Sequence, residues 1–217
     1  MNFGLHYPSW RFNNSRSQIF DDVKATVQWA ESSGFSWFSV MDHLIQIDGI
    51  GPEDEPMMES WTILSALATV TQKMRLATLV TSVSYRNPAV LAKMAATVDV
   101  ISNGRLTLGI GVGWYQEECR QYGYTFPATA ARRIDQLAEA IQLIKALWLR
   151  KRATFQGDYF SITDAILEPK PVQQPHPPIL IGGGGESLTL KLVALQANMT
   201  NVFGSPERVK HKFDVLR

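Results

Sequence analysis

Val98-Asp99-Val100-Ile101-Ser102-Asn103-Gly104-Arg105-Leu106-Thr107-Leu108-Gly109-Ile110-Gly111-Val112-Gly113-Trp114-Tyr115 reads as a helix ending at an Asn-Gly cap, a short apolar strand, and a loop of alternating glycines closed by two aromatics. Glycines at the exit of a strand let a flat ligand or a phosphate approach the backbone, because no Cβ stands in the way. In α/β folds that exit side is where ligands bind. The segment therefore points to a cofactor site as well as to a fold.

Outward from this stretch, apolar strand candidates alternate with helical patterns. The strands fall at about Asn2–Tyr7, Trp37–Met41, Arg75–Val83, Leu106–Ile110, Ile179–Ile181 and Met199–Phe203. Between them the 3.6-residue repeat aligns Phe20, Val23, Val27 and Ala30, then Ile63, Leu67 and Val70, then Val90, Met94, Val98 and Ile101. The clearest repeat is Ile134, Leu137, Ala138, Ile141, Ile144 and Trp148, and a last helix begins at Pro206-Glu207. Strand–helix alternation implies parallel strands joined by crossover helices. Lys151–Pro178 breaks the rhythm with five prolines and a hairpin-like Thr154–Phe160, and reads as an insertion over one end of the sheet. Six β–α units fit the chain, fewer than the eight of a complete barrel. The expectation is one domain over 1–217 with the insertion at 151–178 inside it.

Composition bounds the function. The chain has 217 residues, 45% hydrophobic and 19% charged, with a net charge of +1. Nothing in this balance calls for nucleic acid or an anionic membrane surface. Cys119 is the single cysteine, so no intrachain disulfide forms. No run of about 18 apolar residues exists, and the N-terminus lacks the basic and apolar regions of a signal peptide. The expected location is the cytoplasm, and no metal-ligand set is expected.

Several residues carry possible chemistry. Asp42-His43 follows the strand Trp37–Met41, where a histidine shuttles a proton near neutral pH and a neighbouring acid fixes its tautomer. The alternative is a capping Asp beside a surface His. Gly182-Gly183-Gly184-Gly185 opens the helix Leu188–Gln196 and resembles a phosphate grip, because helix N-terminal amides bind anions; a plain turn is the alternative. The Gly109–Gly113 pattern is not a dinucleotide fingerprint, since Trp114 occupies the slot of its last glycine. The alternating Thr78, Thr81, Ser82 and Ser84 offer donors to a ligand, or simply suit a half-buried strand. Trp10, Trp114 and Tyr115 can wall an aromatic ligand or simply pack, and a lone Arg86 reads as a surface residue unless it pairs a phosphate.

Taken in order, six motifs resemble the bacterial luciferase-like family, in particular its branch using the deazaflavin coenzyme F-420. They are Met41-Asp42-His43-Leu44, Tyr85-Arg86-Asn87-Pro88, Ser102–Leu106, Gly109–Tyr115, Pro169–Gln173 and Pro177–Gly185. The resemblance spans nearly the whole chain. It implies a TIM-type (β/α)8 barrel, here incomplete, with an insertion before its fifth strand and a flavin-like ring at the strand C-terminal ends. It places Asp42 and His43 beside the ring as catalytic residues, His43 as acid/base held by Asp42, and a non-prolyl cis peptide near Thr78-Leu79. Thr78, Leu79, Thr81, Gly111, Gly113, Trp114, Tyr115 and Gly182–Gly185 become cofactor-binding residues. It also implies a homodimer through helices 60–71 and 89–101. Trp114 stands where the sugar-phosphate dehydrogenase branch has a glutamate, so that substrate class is not expected. The leading expectation is hydride transfer between F-420 and a small organic substrate. The alternatives are a monooxygenase using flavin mononucleotide (FMN) and a non-catalytic flavin-binding relative.

Overall fold

The computed structural model describes residues 2–10 and 15–217. Its main sheet is parallel and curled, with strands β1 (Gly4–Tyr7), β2 (Trp37–Val40), β3 (Arg75–Thr78), β5 (Leu106–Gly111), β8 (Ile179–Gly182) and β9 (Met199–Asn201) side by side in that order. The two-residue β4 (Thr81–Ser82) carries the line of β3 onward and pairs with β5. The crossovers run through α1 (Ile19–Ser32), α2 (Ser60–Val70), α3 (Pro88–Ile101), α5 (Ala130–Leu149) and α6 (Lys191–Gln196). The short α4 (Gln116–Gln121) follows β5, and α7 (Pro206–Leu216) follows β9. This is the half-barrel of a TIM-type fold. Among the described residues β1 and β9 each pair with a single neighbour, so the sheet is open.

The core lies between sheet and helices. Phe38, Leu76, Leu106, Leu108 and Ile110 from the strands meet Val23, Val27, Leu64, Leu67, Leu137, Ile141 and Ile144 from the helices, all of them buried. The stripes expected on α1 and α5 face inward, apart from half-buried Phe20, Ile134 and Ala138. The stripe expected on α3 does so only in part: Val98 is buried and Met94 half-buried, but Val90 and Ile101 are exposed, and the buried face is Leu91, Ala92, Ala95, Ala96, Val98 and Asp99. α3 is apolar nearly all round, so its periodicity does not choose a face. Alanines win because they let the helix approach its neighbours closely.

The strand expected over 75–83 is broken. β3 ends at Thr78, a cis peptide joins Leu79 to Val80, and β4 resumes at Thr81. The cis bond lies one residue beyond the position that the resemblance implies. Ala77 faces Thr107 and Thr81 faces Ile110, so the break inserts one extra residue opposite β5. At the break Thr78 Oγ1 donates to Gly109 O at 2.6 Å. The chains come so near that a Cβ on Gly109 would lie 1.9 Å from Thr78 O. The sixth strand, expected to reach Phe203, stops at Asn201. The helix expected from Leu188 starts instead as a π-helical turn, Glu186–Leu190.

The insertion forms an antiparallel hairpin of β6 (Ala153–Gln156) and β7 (Ser161–Ala165), then a loop with cis bonds before Pro169 and Pro175. It closes the N-terminal end of the sheet. Asp99 Oδ2 accepts from the Val172 and Gln173 amides at 2.8 and 3.0 Å, and Gln173 Nε2 donates to Leu106 O at 2.7 Å. Arg75, at the start of β3, donates to Gln173 Oε1 at 2.8 Å.

Asn103 and Gly104, both with positive φ, turn the chain after α3 so that Arg105 reaches the end of α2. Its guanidinium donates to Ala68 O, Thr71 O, Thr71 Oγ1, Met74 O and Ser102 O at 2.7–3.0 Å. Next to it, Glu31 accepts from the amides of Gln72, Lys73 and Met74. Two loops are thus tied by charge-assisted bonds. Arg105→Ala leaves several carbonyls without donors and is expected to cost about 2–4 kcal/mol, read as a lower urea midpoint at unchanged slope. Burial alone would raise the Glu31 carboxyl, but these amides and Arg105 hold it below its ordinary value of 4.5. Its contribution is therefore present at neutral pH and lost as pH falls below about that value. Glu31→Gln should flatten this part of the stability–pH curve, measured by thermal melts.

Candidate active site

Where the parallel strands end at their C-terminal side, a cavity of about 580 Å³ opens. Each of the six main strands delivers residues to it: His6, Met41 to His43, Leu79 with Val80 and Ser82, Gly111 to Trp114, Gly182 to Gly183, and Asn201 with Phe203. Ile47 and Ile50 enter from the loop after β2, and Tyr85 from the loop before α3. The walls are mainly apolar, with a few polar groups, as in sites for small organic ligands.

Val80 forms part of the lining, and glycines make room for it. A Cβ on Gly111 or Gly182 would lie 2.8 or 2.9 Å from Val80 Cγ2. Gly113 turns the loop at φ +74°, and a Cβ there would meet Ser82 Oγ at 2.4 Å. These glycines therefore accommodate the chain's own side chains. Leu79 and Val80, on either side of the cis bond, present an apolar surface at the cavity wall.

Asp42 and His43 both line the cavity, as expected, but they do not pair with each other. Asp42 is buried and takes a bidentate ion pair from Arg86, Nη1 to Oδ2 at 2.6 Å and Nη2 to Oδ1 at 3.0 Å. Arg86 also binds Glu59, the N-cap of α2, whose carboxylate accepts from the Trp61 and Thr62 amides. Arg86 is only 13% exposed, so it is a structural cation and not a surface residue. Burial pulls the Glu59 carboxyl up, but Thr62 and Arg86 outweigh it and hold it low.

His43 is held instead by Glu118, Nδ1 to Oε2 at 2.9 Å. Glu118 belongs to α4 and is fully buried. The same oxygen accepts from the Tyr85 hydroxyl, and Oε1 accepts from the amides of Leu44 and Ile45. Burial acts to raise this carboxyl, yet the bonds from His43, Tyr85 and Leu44 keep it below its ordinary value, so it is ionised. Burial and the same carboxylate push the Tyr85 phenol well above its ordinary value. The His43 ring also meets Trp114 and Tyr115 edge-on, with centroids 5.8 and 6.1 Å away. At the first strand, burial lowers the His6 pKa against the opposing effect of Ser39, whose hydroxyl lies 3.0 Å from Nδ1.

The expected cofactor residues divide. Leu79, Gly111, Gly113, Trp114, Gly182 and Gly183 line the cavity. Thr78 and Thr81 do not: both are fully buried, Thr78 on Gly109 O and Thr81 accepting from Trp61 Nε1 at 3.1 Å. Tyr115 stands behind the wall against His43, outside the lining. Gly184 and Gly185 lie beyond Gly183, near Glu186, which pairs with Lys212 and His211. Trp10 packs edge-on to Tyr7 at 5.2 Å in the core and is no wall. The loop of the insertion sits at the opposite end of the sheet from the cavity, because it enters between a helix and the start of a strand. Glu118 went unread in the sequence because α4 is too short for a hydrophobic period; its signal is a carboxylate in the first turn after the glycine loop.

A family model described as luciferase-like monooxygenase matches residues 1–217. An uncharacterised Mycobacterium tuberculosis protein is 34% identical over 207 residues, covering 89% of this chain and 71% of its own. A pyrimidine monooxygenase RutA of Acinetobacter baylyi is 34% identical over 217 residues, covering 94% and 56%. Among solved structures, an F-420-dependent secondary alcohol dehydrogenase superposes with a TM-score of 0.84 at 24% identity, covering 99% and 62%. The FMN-bound oxygenating constituent of a Pseudomonas putida diketocamphane monooxygenase superposes at 0.81 and 22%, covering 100% and 61%. The chain thus spans little more than half the length of that RutA, and the structural likenesses speak for the fold alone. With the family model matched over all 217 residues, the chain belongs to the luciferase-like monooxygenase family.

Proposed function

We propose that this chain is an oxidoreductase that moves a hydride between coenzyme F-420 and a small organic substrate. The observation that carries the reading is His43: a polar ring, oriented from behind by a buried carboxylate, at the wall of a mainly apolar cavity. The cavity suits a flat tricyclic ring. Its volume lies in the usual range for small-molecule sites, and Leu79, Val80 and Trp114 offer apolar faces. When bound, the deazaflavin accepts a hydride at its C5 from an alcohol, or in its reduced form returns it to a carbonyl. The chain's residues do the rest. Val80 and Leu79 back the ring, Trp114 shields it from water, and His43 gives or takes the proton at the substrate's oxygen when a carbonyl and an alcohol interconvert. Asp42 is neutralised by Arg86 and holds the loop rather than the proton. Gly184, beside Lys212, and Gly185 are the proposed grip for the cofactor's phosphate tail.

The similarity to RutA monooxygenases favours a second reading, an FMN-dependent oxygenase on the same cavity. A homodimer is proposed through α2 and α3, where Val90, Val100 and Ile101 leave an apolar stripe exposed. No helix among the described residues is long and apolar enough to cross a membrane; a cytoplasmic location is proposed.

Fluorescence titration with F-420 and, separately, with FMN decides between the readings. Selective F-420 binding is expected; selective FMN binding, with oxygen uptake on adding the reduced flavin, transfers the proposal to the oxygenase. Binding of neither overturns both. In the F-420 case, His43→Ala should lower turnover of the alcohols accepted by the unaltered protein about 100-fold while leaving cofactor affinity within about twofold, the usual scale of acid–base catalysis. Unchanged turnover removes His43 from the mechanism.

A further inference from the structure

We propose that Glu118 is the positioning residue of this site: its buried carboxylate fixes His43 as the Nδ1–H tautomer and so presents Nε2 to the cavity as a proton acceptor. The proposal rests on the reading of His43 as acid/base, and it supplies what that reading lacks, a reason for one particular ring nitrogen to face the substrate.

An ionised carboxylate only accepts hydrogen bonds. Glu118 Oε2 lies 2.9 Å from His43 Nδ1, so that nitrogen carries a hydrogen; otherwise two acceptors would face each other in a buried place. Nε2 has no protein partner among the described residues, and His43 lines the cavity. A neutral imidazole with its hydrogen on Nδ1 has a lone pair on Nε2. The free nitrogen therefore accepts a proton, and the imidazolium that results lies against the Glu118 charge.

The carboxylate is itself fixed. Oε1 takes the amides of Leu44 and Ile45, the two residues that follow His43, and Oε2 takes the Tyr85 hydroxyl as well as the ring. One side chain of α4 thus joins the loop after β2 to the loop before α3. Ring stacking cannot substitute for it, because edge contacts with Trp114 and Tyr115 orient a plane without distinguishing tautomers.

Glu118→Gln separates charge from shape. The amide oxygen is claimed by the Leu44 and Ile45 amides, which have no other acceptor in that position. The NH2 group then faces His43, and a donor there requires Nδ1 without its hydrogen. The ring becomes the Nε2–H tautomer and points a donor at the cavity, the wrong partner for proton uptake. A mispaired histidine of this kind typically costs orders of magnitude in rate while geometry survives.

The test is long-range proton–nitrogen NMR of the His43 ring in the cofactor-free protein, assigned with His43→Ala. The unaltered protein is expected to show Nδ1–H in excess, and Glu118→Gln to shift the tautomer ratio toward Nε2–H by at least about tenfold. Tyr85→Phe, which keeps the carboxylate, should leave the ratio unchanged. An Nε2–H ring in the unaltered protein overturns the proposal even if Glu118→Gln does not fold, and so does a ratio that Glu118→Gln leaves unmoved. If the tautomer shifts as expected but His43→Ala keeps full turnover, the positioning stands and the catalytic reading of His43 falls.

Discussion

Burying a carboxylate costs several kcal/mol unless hydrogen bonds and opposite charge replace its water, and the mouth of this half-barrel is organised around meeting that requirement twice. Asp42 and Glu118 are both buried beside the cavity. One is answered by Arg86, the other by a histidine, a tyrosine and two backbone amides. Because those donors come from the loops after β2 and before α3, satisfying the two charges also determines where the loops lie. Removing a partner from either carboxylate leaves an uncompensated charge rather than a missing contact.

The second organising constraint is steric. The break between β3 and β4 sends Val80 across the ends of β5 and β8, which have glycine at Gly109, Gly111 and Gly182 where a Cβ would collide with Thr78 or Val80. The glycine pattern and the chain break are two sides of one packing arrangement. The flat wall is therefore built from the protein's own backbone geometry, ahead of any ligand.

Much of this was legible in the sequence. The strand–helix alternation, the hairpin in the insertion and the Asp42-His43 position at a strand end all follow from local pattern, which the chain displays openly. The pairing of side chains was not. Sequence adjacency suggested that Asp42 holds His43, whereas neighbours at a strand end point in different directions, and the partner of His43 comes from 75 residues away. Thr78 and Thr81 look like ligand donors on a strand, yet the close approach of β5 and α2 consumes them. The face of α3 stayed hidden because an apolar helix with alanines and valines all round has no preferred side until its neighbours are placed. Arg86 looked isolated for the same reason: its two carboxylates lie on other elements.

The insertion lies at the far end of the sheet from the cavity. Its hairpin is docked by Glu139, which accepts from the amides of Asp158, Tyr159 and Phe160. The protein therefore has a handle as well as a mouth. A dye, an affinity tag or a surface linkage at Asp158 would report on or immobilise the molecule through a segment that contributes nothing to the cavity lining, leaving the approach of small molecules unobstructed.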